Sequence, residues 1–217
     1  MACDAFQDAR AFLENGGQRG PQIGLIPSGT YRINTLLFSV TLTDAIIVPP
    51  GQVGVIEARD GIPLSGGRVI ARHVECDSFQ DGPAFIAGGG ERGPQMAIIA
   101  PGSYRINPFL FSVQMADALD VPDNKVGIVT TREGLALSSG EIAGPVVEGH
   151  NMFQSPQVFV DGKGCKGLQE QVLLAGRYFI NPSFATDLFG AQGIQRRCRG
   201  YPDWRHRAAG CIDEDAH

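Results

Sequence analysis

No stretch of this 217-residue chain approaches the ~20 consecutive apolar residues that cross a bilayer as a helix. Met1 is not followed by a basic and then an apolar segment, so no signal peptide is expected. The five cysteines (Cys3, Cys76, Cys165, Cys198, Cys211) are odd in number and contain no CxxC pair. That pattern fits neither a disulfide framework nor a structural zinc site, and a reducing, cytoplasmic setting is expected. Positive charge is scarce, with 18 Lys and Arg against 23 Asp and Glu for a net charge of −5. A nucleic-acid binder of the basic-patch type is excluded on that ground. HExxH, GxSxG and GK[ST] are all missing, so no metal, no cofactor and no catalytic residue is expected from motifs.

Turn residues are abundant. The 29 glycines and 14 prolines make up about a fifth of the chain, against a background of roughly 12%. They punctuate short strand-like segments in an ordered way. Residues 100–113 read APGSYRINPFLFSV, in which Pro101-Gly102 has the chemistry of a type II turn, with glycine supplying a positive φ. Beyond it Phe109, Phe111, Val113 and Met115 alternate with Leu110, Ser112, Gln114 and Ala116, the period of a half-buried strand.

The same text recurs. Shifted by 73 residues, Gly29, Tyr31, Arg32, Ile33, Asn34, Phe38, Ser39 and Val40 match Gly102, Tyr104, Arg105, Ile106, Asn107, Phe111, Ser112 and Val113. Shifted by 74, a third copy begins with Gly167, Gln169, Gly176, Tyr178, Ile180, Asn181 and Pro182. A long period with turn residues at matched places marks tandem β units. The expected fold is all-β, with tandem antiparallel sandwich or barrel-like repeats of about 73 residues.

The expected organisation is a short amphipathic helix in 1–16, β repeats over 17–89 and 90–163, a partial third repeat over 164–189, and an irregular or disordered tail over 190–217. In the first segment Phe6, Ala9, Phe12 and Leu13 fall at helical spacing and Gly16-Gly17 ends the run. In repeat one, Leu36, Phe38, Val40 and Leu42 form one face of a main strand, and Val53 to Ala58 returns beside it before a hairpin signal at Asp60-Gly61. Pro145-Val146-Val147 and Val158-Phe159-Val160 read as strands of repeat two, and Gly88-Gly89-Gly90 and Gly162-Lys163-Gly164 as joints between units. Gly29, Gly102 and Gly176, with Pro101, are the structural turn residues. In the third copy Val172, Leu173, Leu174, Phe179 and Ile180 lack a complete partner sheet and are expected to bury themselves against another copy. The tail crowds Arg196, Arg197, Arg199, Arg205 and Arg207 around Tyr201 and Trp204, but Asp213, Glu214 and Asp215 follow at once, so no nucleic-acid role is assigned.

Two clusters invite chemistry. His73, Glu75, Cys76 and Asp77 form one, and Glu148, His150 and Asn151 the other. Either reads as a metal or nucleophile site, the alternative being a metal- or small-ligand-dependent enzyme on a β scaffold. Under a shift of 73, His73 lands on Val146 and Cys76 on Gly149, so the clusters are not repeats of one site. Both sit in Gly/Pro-punctuated connections, where polar side chains are ordinarily solvated.

The blocks GSYRINPFLFSV, VPDNKVGIVTTREG and GEIAGPVVEGHNMFQSPQVFVDGKGCKGLQEQVLLAGRYFINP resemble the N-terminal part of bacterial flotillin-like proteins of the SPFH (band 7) superfamily over about 17–186. The PGxYxINP…VGxV unit is also similar in style to the β repeats of major vault protein. The resemblance implies a non-enzymatic, membrane-associated scaffold that forms homo-oligomers, with peripheral membrane association through other regions.

Overall fold

The computed structural model describes residues 4–187. Within them the regular structure is mostly strand, arranged in several small antiparallel sheets with three short helices.

Helix α1 (Ala9–Glu14) starts where the Asp8 carboxylate accepts the Ala11 amide at 2.9 Å. Residues Asp4, Ala5 and Phe6 precede it in left-handed backbone, with φ of 43, 50 and 66°. The segment that follows, 18–45, is irregular.

A first complete body then forms. Strand β1 (Ile46–Val48) leads into β2 (Gln52–Ala58), whose Val53, Ile56 and Ala58 are buried. Helix α2 (Gly82–Ala87) is capped by the Asp81 carboxylate on the Ala84 amide and carries proline in its first turn. Strands β3 (Gly93–Ile99), β4 (Gly102–Tyr104) and β5 (Phe111–Asp117) complete the body. The sheet order is β3-β2-β5, and β1 pairs with β4. β2 is central because both of its edges are occupied: Glu57 opposes Pro94 on one side and Ser112 on the other.

The next stretch has the same order of elements. Strands β6 (Leu119–Val121) and β7 (Gly127–Thr131), helix α3 (Pro156–Asp161), then β8 (Gly167–Leu173), β9 (Gly176–Tyr178) and β10 (Ala185–Asp187) follow in the same order. The sheet is β10-β7-β8, and β6 pairs with β9. Both three-stranded sheets carry a register shift at the same place, between Val55 and Glu57 and between Ile128 and Thr130.

Each body has an aromatic core. In the first, Phe79, Phe85 and Phe111 meet edge to face, with ring centroids 4.9 Å apart for Phe85 and Phe111. In the second, Phe153, Phe159 and Phe184 take these roles. Near the N-terminus Phe6, Phe12 and Phe38 form a third such trio.

The structure corrects several expectations. Gly88-Gly89-Gly90 and Gly162-Lys163-Gly164 are helix ends, with the amides of Gly88 and Gly90 returning to the carbonyls of Ala84 and Phe85. Gly90 lies flat under the Phe85 ring, where a Cβ would come within 2.4 Å of Cε1. Because β2 and β3 pair across this point, a cut at 89 runs through a sheet. Val158-Phe159-Val160 is helix α3, not strand. Asp60-Gly61 makes no hairpin, since the partners of β2 are β3 and β5. Leu36, Leu37, Val40 and Leu42 are in no strand and are exposed.

Gly102 is not in positive-φ backbone; it opens β4, and no type II turn forms at Pro101. Its role is proximity. The Tyr104 ring folds back over it and donates its hydroxyl to the Ala100 carbonyl at 2.9 Å, so a Cβ on Gly102 would meet the ring at 3.2 Å. Gly29 faces Tyr31 in the same way, and Gly176, at φ 154°, faces Tyr178, whose hydroxyl donates to the Leu174 carbonyl. The arginines between 196 and 207, with Tyr201 and Trp204, lie outside the described residues.

Candidate functional site

One polar device recurs where consecutive bodies meet. A glutamine first fixes its own neighbourhood: Gln95 donates to the carbonyls of Glu91 at 2.7 Å and Gly93 at 2.8 Å. Gln22 does the same to Gln18 and Gly20, and Gln169 to Cys165 and Gly167. This leaves the glutamine's own carbonyl, and that of the next residue, facing outward as a pair.

An asparagine from the following body closes on that pair. Asn107 Nδ2 donates to the Gln22 and Ile23 carbonyls at 3.0 and 2.9 Å. Asn181 Nδ2 donates to the Gln95 and Met96 carbonyls at 2.8 and 2.9 Å. The Oδ1 atoms are engaged locally, accepting the Phe109 and Ser183 amides at 2.9 Å, which aims each carboxamide in advance. Asn107 and Asn181 are 4% and 1% exposed. Buried amides with all partners met fix the register between bodies, since sliding would leave donor and carbonyls unpaired at a cost of about 1–3 kcal/mol each.

Packing completes the joint. Ile70 and Met96, from the first complete body, belong to the core of the second. The Val69 amide donates to Glu133 Oε2 at 2.9 Å and the His73 amide to Gln157 Oε1 at 3.2 Å. Arg68 braces this loop through both oxygens of Glu91, the Nη1 to Oε2 contact being 2.8 Å, and Glu91 also accepts the Arg72 amide. Hydrogen bonding to Arg68 holds the Glu91 carboxyl below its ordinary range, and the same contact raises the Arg68 guanidinium.

The two clusters singled out for chemistry have structural roles. His150 is 1% exposed. Its Nδ1 accepts the Phe153 amide at 2.7 Å, so Nε2 carries the proton and donates to Gln171 Oε1 at 2.9 Å. Ligating a metal would break one of these bonds. A hollow over the ring is lined by Glu148, Asn151, Met152 and Gln171. Cys76 occupies the matching place in the first complete body, before the left-handed run Asp77, Ser78, Phe79 that corresponds to Asn151, Met152, Phe153. Burial pushes its thiol up, away from the nucleophilic thiolate, and the Phe79 amide opposes this only in part. Under a shift of 74, Cys76 lands on His150, so these two residues hold matching places, while His73, ahead of the inserted residue, still matches Val146. The His73 side chain is exposed, with its Nε2 3.6 Å from Glu75 Oε2. Among the described residues no group of three His, Cys, Asp or Glu is placed to hold a metal ion.

The third-copy strands are paired within the chain. β8 lies against β7, and Leu173 is fully buried in the second core; Val172 and Leu174 face outward at 38% and 60% exposure. Phe179 and Ile180 are half-buried, and the Phe179 amide donates to Gln154 Oε1 at 2.9 Å. The partner sheet expected to be missing is thus present, with Leu173 in its core and Val172 and Leu174 left on the surface. The asparagine of the INP text was legible as a match, but its role was not, because its acceptors lie 84–86 positions away.

Among the described residues no helix is long and apolar enough to cross a membrane. Comparison with family models, with curated proteins and with solved structures finds no match for this chain.

Proposed function

We propose that this chain is a non-enzymatic structural module whose work is done by tandem β bodies, repeats of one 73–74-residue plan, locked in fixed register, and that it self-associates as a scaffold. The observation that carries this reading is the asparagine clamp, which appears twice with the same partners and the same geometry. Side chains that chemistry could use, His150 and Cys76, are instead committed to holding left-handed turns in each core. Precise stacking is what a scaffold needs and what a catalyst has no special use for.

Sedimentation of the full chain over a concentration series, with metal analysis of the same sample, tests the proposal. Species heavier than one chain at high micromolar concentration, without bound metal, are expected. A monomer throughout, or stoichiometric zinc or iron, would overturn it.

A further inference from the structure

The clamp has three asparagines and three glutamine cradles, yet only two of each are joined. Asn34 stands in line with Asn107 and Asn181, and its Oδ1 already accepts the Leu36 amide at 3.0 Å, as theirs accept Phe109 and Ser183. It is exposed. At the other end Gln169 is locked onto Cys165 and Gly167 in the manner of Gln22 and Gln95, and no fourth clamp asparagine exists among the described residues to take its carbonyl pair.

We infer that Asn34 of one copy clamps the Gln169 and Glu170 carbonyls of a second copy, so that chains join head to tail through the joint already present twice inside each chain. This rests on the scaffold reading above and names its contact. The occupant is a second copy because the two free halves are the two halves of one established interface. Surrounding residues agree. At the head, Leu37 is 42% exposed where its counterparts Leu110 and Phe184 are 3% and 0%. At the tail, Ile142 is 83% exposed where its counterpart Val69 is 52% exposed.

One substitution looks adverse until both sides are read together. Glu170 replaces Ile23 and Met96, whose side chains pack beneath the next body. The helix that meets β3 in the observed joint is α3, and its Gln157 corresponds to Arg10 on α1. The intermolecular joint would thus bring α1, which carries Arg10, against β8, which carries Glu170, so that opposite charges face each other where the observed joint is apolar. Such a contact is heterologous, and it propagates into a ring or a filament according to the rotation between copies.

Sedimentation velocity on full-length variants tests this. Asn34→Asp keeps the acceptor for Leu36 and removes the donor, so association should weaken by about tenfold or more while the fold is unchanged by circular dichroism. Glu170→Arg should weaken it too, and adding Arg10→Glu should restore it. A mixture of Asn34→Asp with Glu170→Arg chains should give dimers and nothing larger, because each has one working end. If the wild type associates and Asn34→Asp associates equally well, the joint is wrong and the scaffold reading stands. If the wild type stays monomeric at high micromolar concentration, that reading fails and the joint fails with it.

Discussion

Residues 20–44 and 93–117 share much of their text, and they do not share a structure. The later segment supplies β3 and β5; the earlier one forms no strand. Between β3 and β5 lies β2, hydrogen-bonded to both, whereas among the described residues no strand pairs with the earlier segment. The Asn-Pro bend of the later segment is mirrored upstream, where the Leu37 and Phe38 amides return to the Asn34 carbonyl as those of Leu110 and Phe111 return to Asn107. Turns survive without the central strand and ladders do not, because a turn closes its hydrogen bonds locally while a strand borrows them from a neighbour.

The largest effect that would sharpen this contrast is in the cores. Phe111→Ala, which removes a 2% exposed ring from the Phe79-Phe85 cluster, should cost about 3–5 kcal/mol in chemical unfolding. Phe38→Ala, at the matching but half-buried site, should cost clearly less. Equal losses would mean that the N-terminal trio is as well packed as the complete body.

Next comes the close approach of glycine to the core ring. Gly90→Ala drives a Cβ to 2.4 Å from Phe85 and should lose about 1–3 kcal/mol through overpacking. Gly102→Ala meets the edge of the tyrosine ring at 3.2 Å, which can yield, and should lose less than about 1 kcal/mol. A Gly102 variant as damaging as the Gly90 one would bring back the positive-φ requirement that the backbone lacks.

A smaller effect concerns pH. The folded-state carboxyl of Glu91 lies below its ordinary value, so its contribution is present above the unfolded value and is lost as pH falls through the folded one. Glu91→Gln should therefore flatten the acid limb of the stability profile and leave the alkaline limb alone. Smallest of all, Arg177→Gln should leave the melting temperature unchanged, because its pair with Asp120 is exposed on both sides.

How far the sequence disclosed this follows from the range of each interaction. β2 and β5 were legible, since alternation in VGVIEA and in FSVQMAD reports a sheet face directly. Helices α2 and α3 were not, because each carries proline in its first turn and runs into glycine, which reads locally as a turn. A signal was present: Phe-Gln at 6–7, 79–80 and 153–154 precedes Phe12, Phe85 and Phe159, and the helix read near the N-terminus could have been carried forward to both later copies. The glutamine of each pair receives an amide 25 residues on, from Arg32, Arg105 and Phe179. No local reading reaches that far, nor could it reach from Asn181 back to Gln95. The equivalence of Cys76 and His150 was hidden by a single inserted residue between Gly144 and His150, which changes the shift from 73 to 74.

The clamp itself is tested most directly by three matched variants, Asn34→Asp, Asn107→Asp and Asn181→Asp, unfolded in denaturant at a concentration low enough to keep chains apart. Each keeps its turn acceptor and loses its donor. The two buried positions should lose at least about 2 kcal/mol, since a carboxylate is left facing two carbonyls, and Asn34 should stay within about 0.5 kcal/mol of the parent. Three equal and small losses would contradict the account, for they would show that the bodies hold their register without the asparagine.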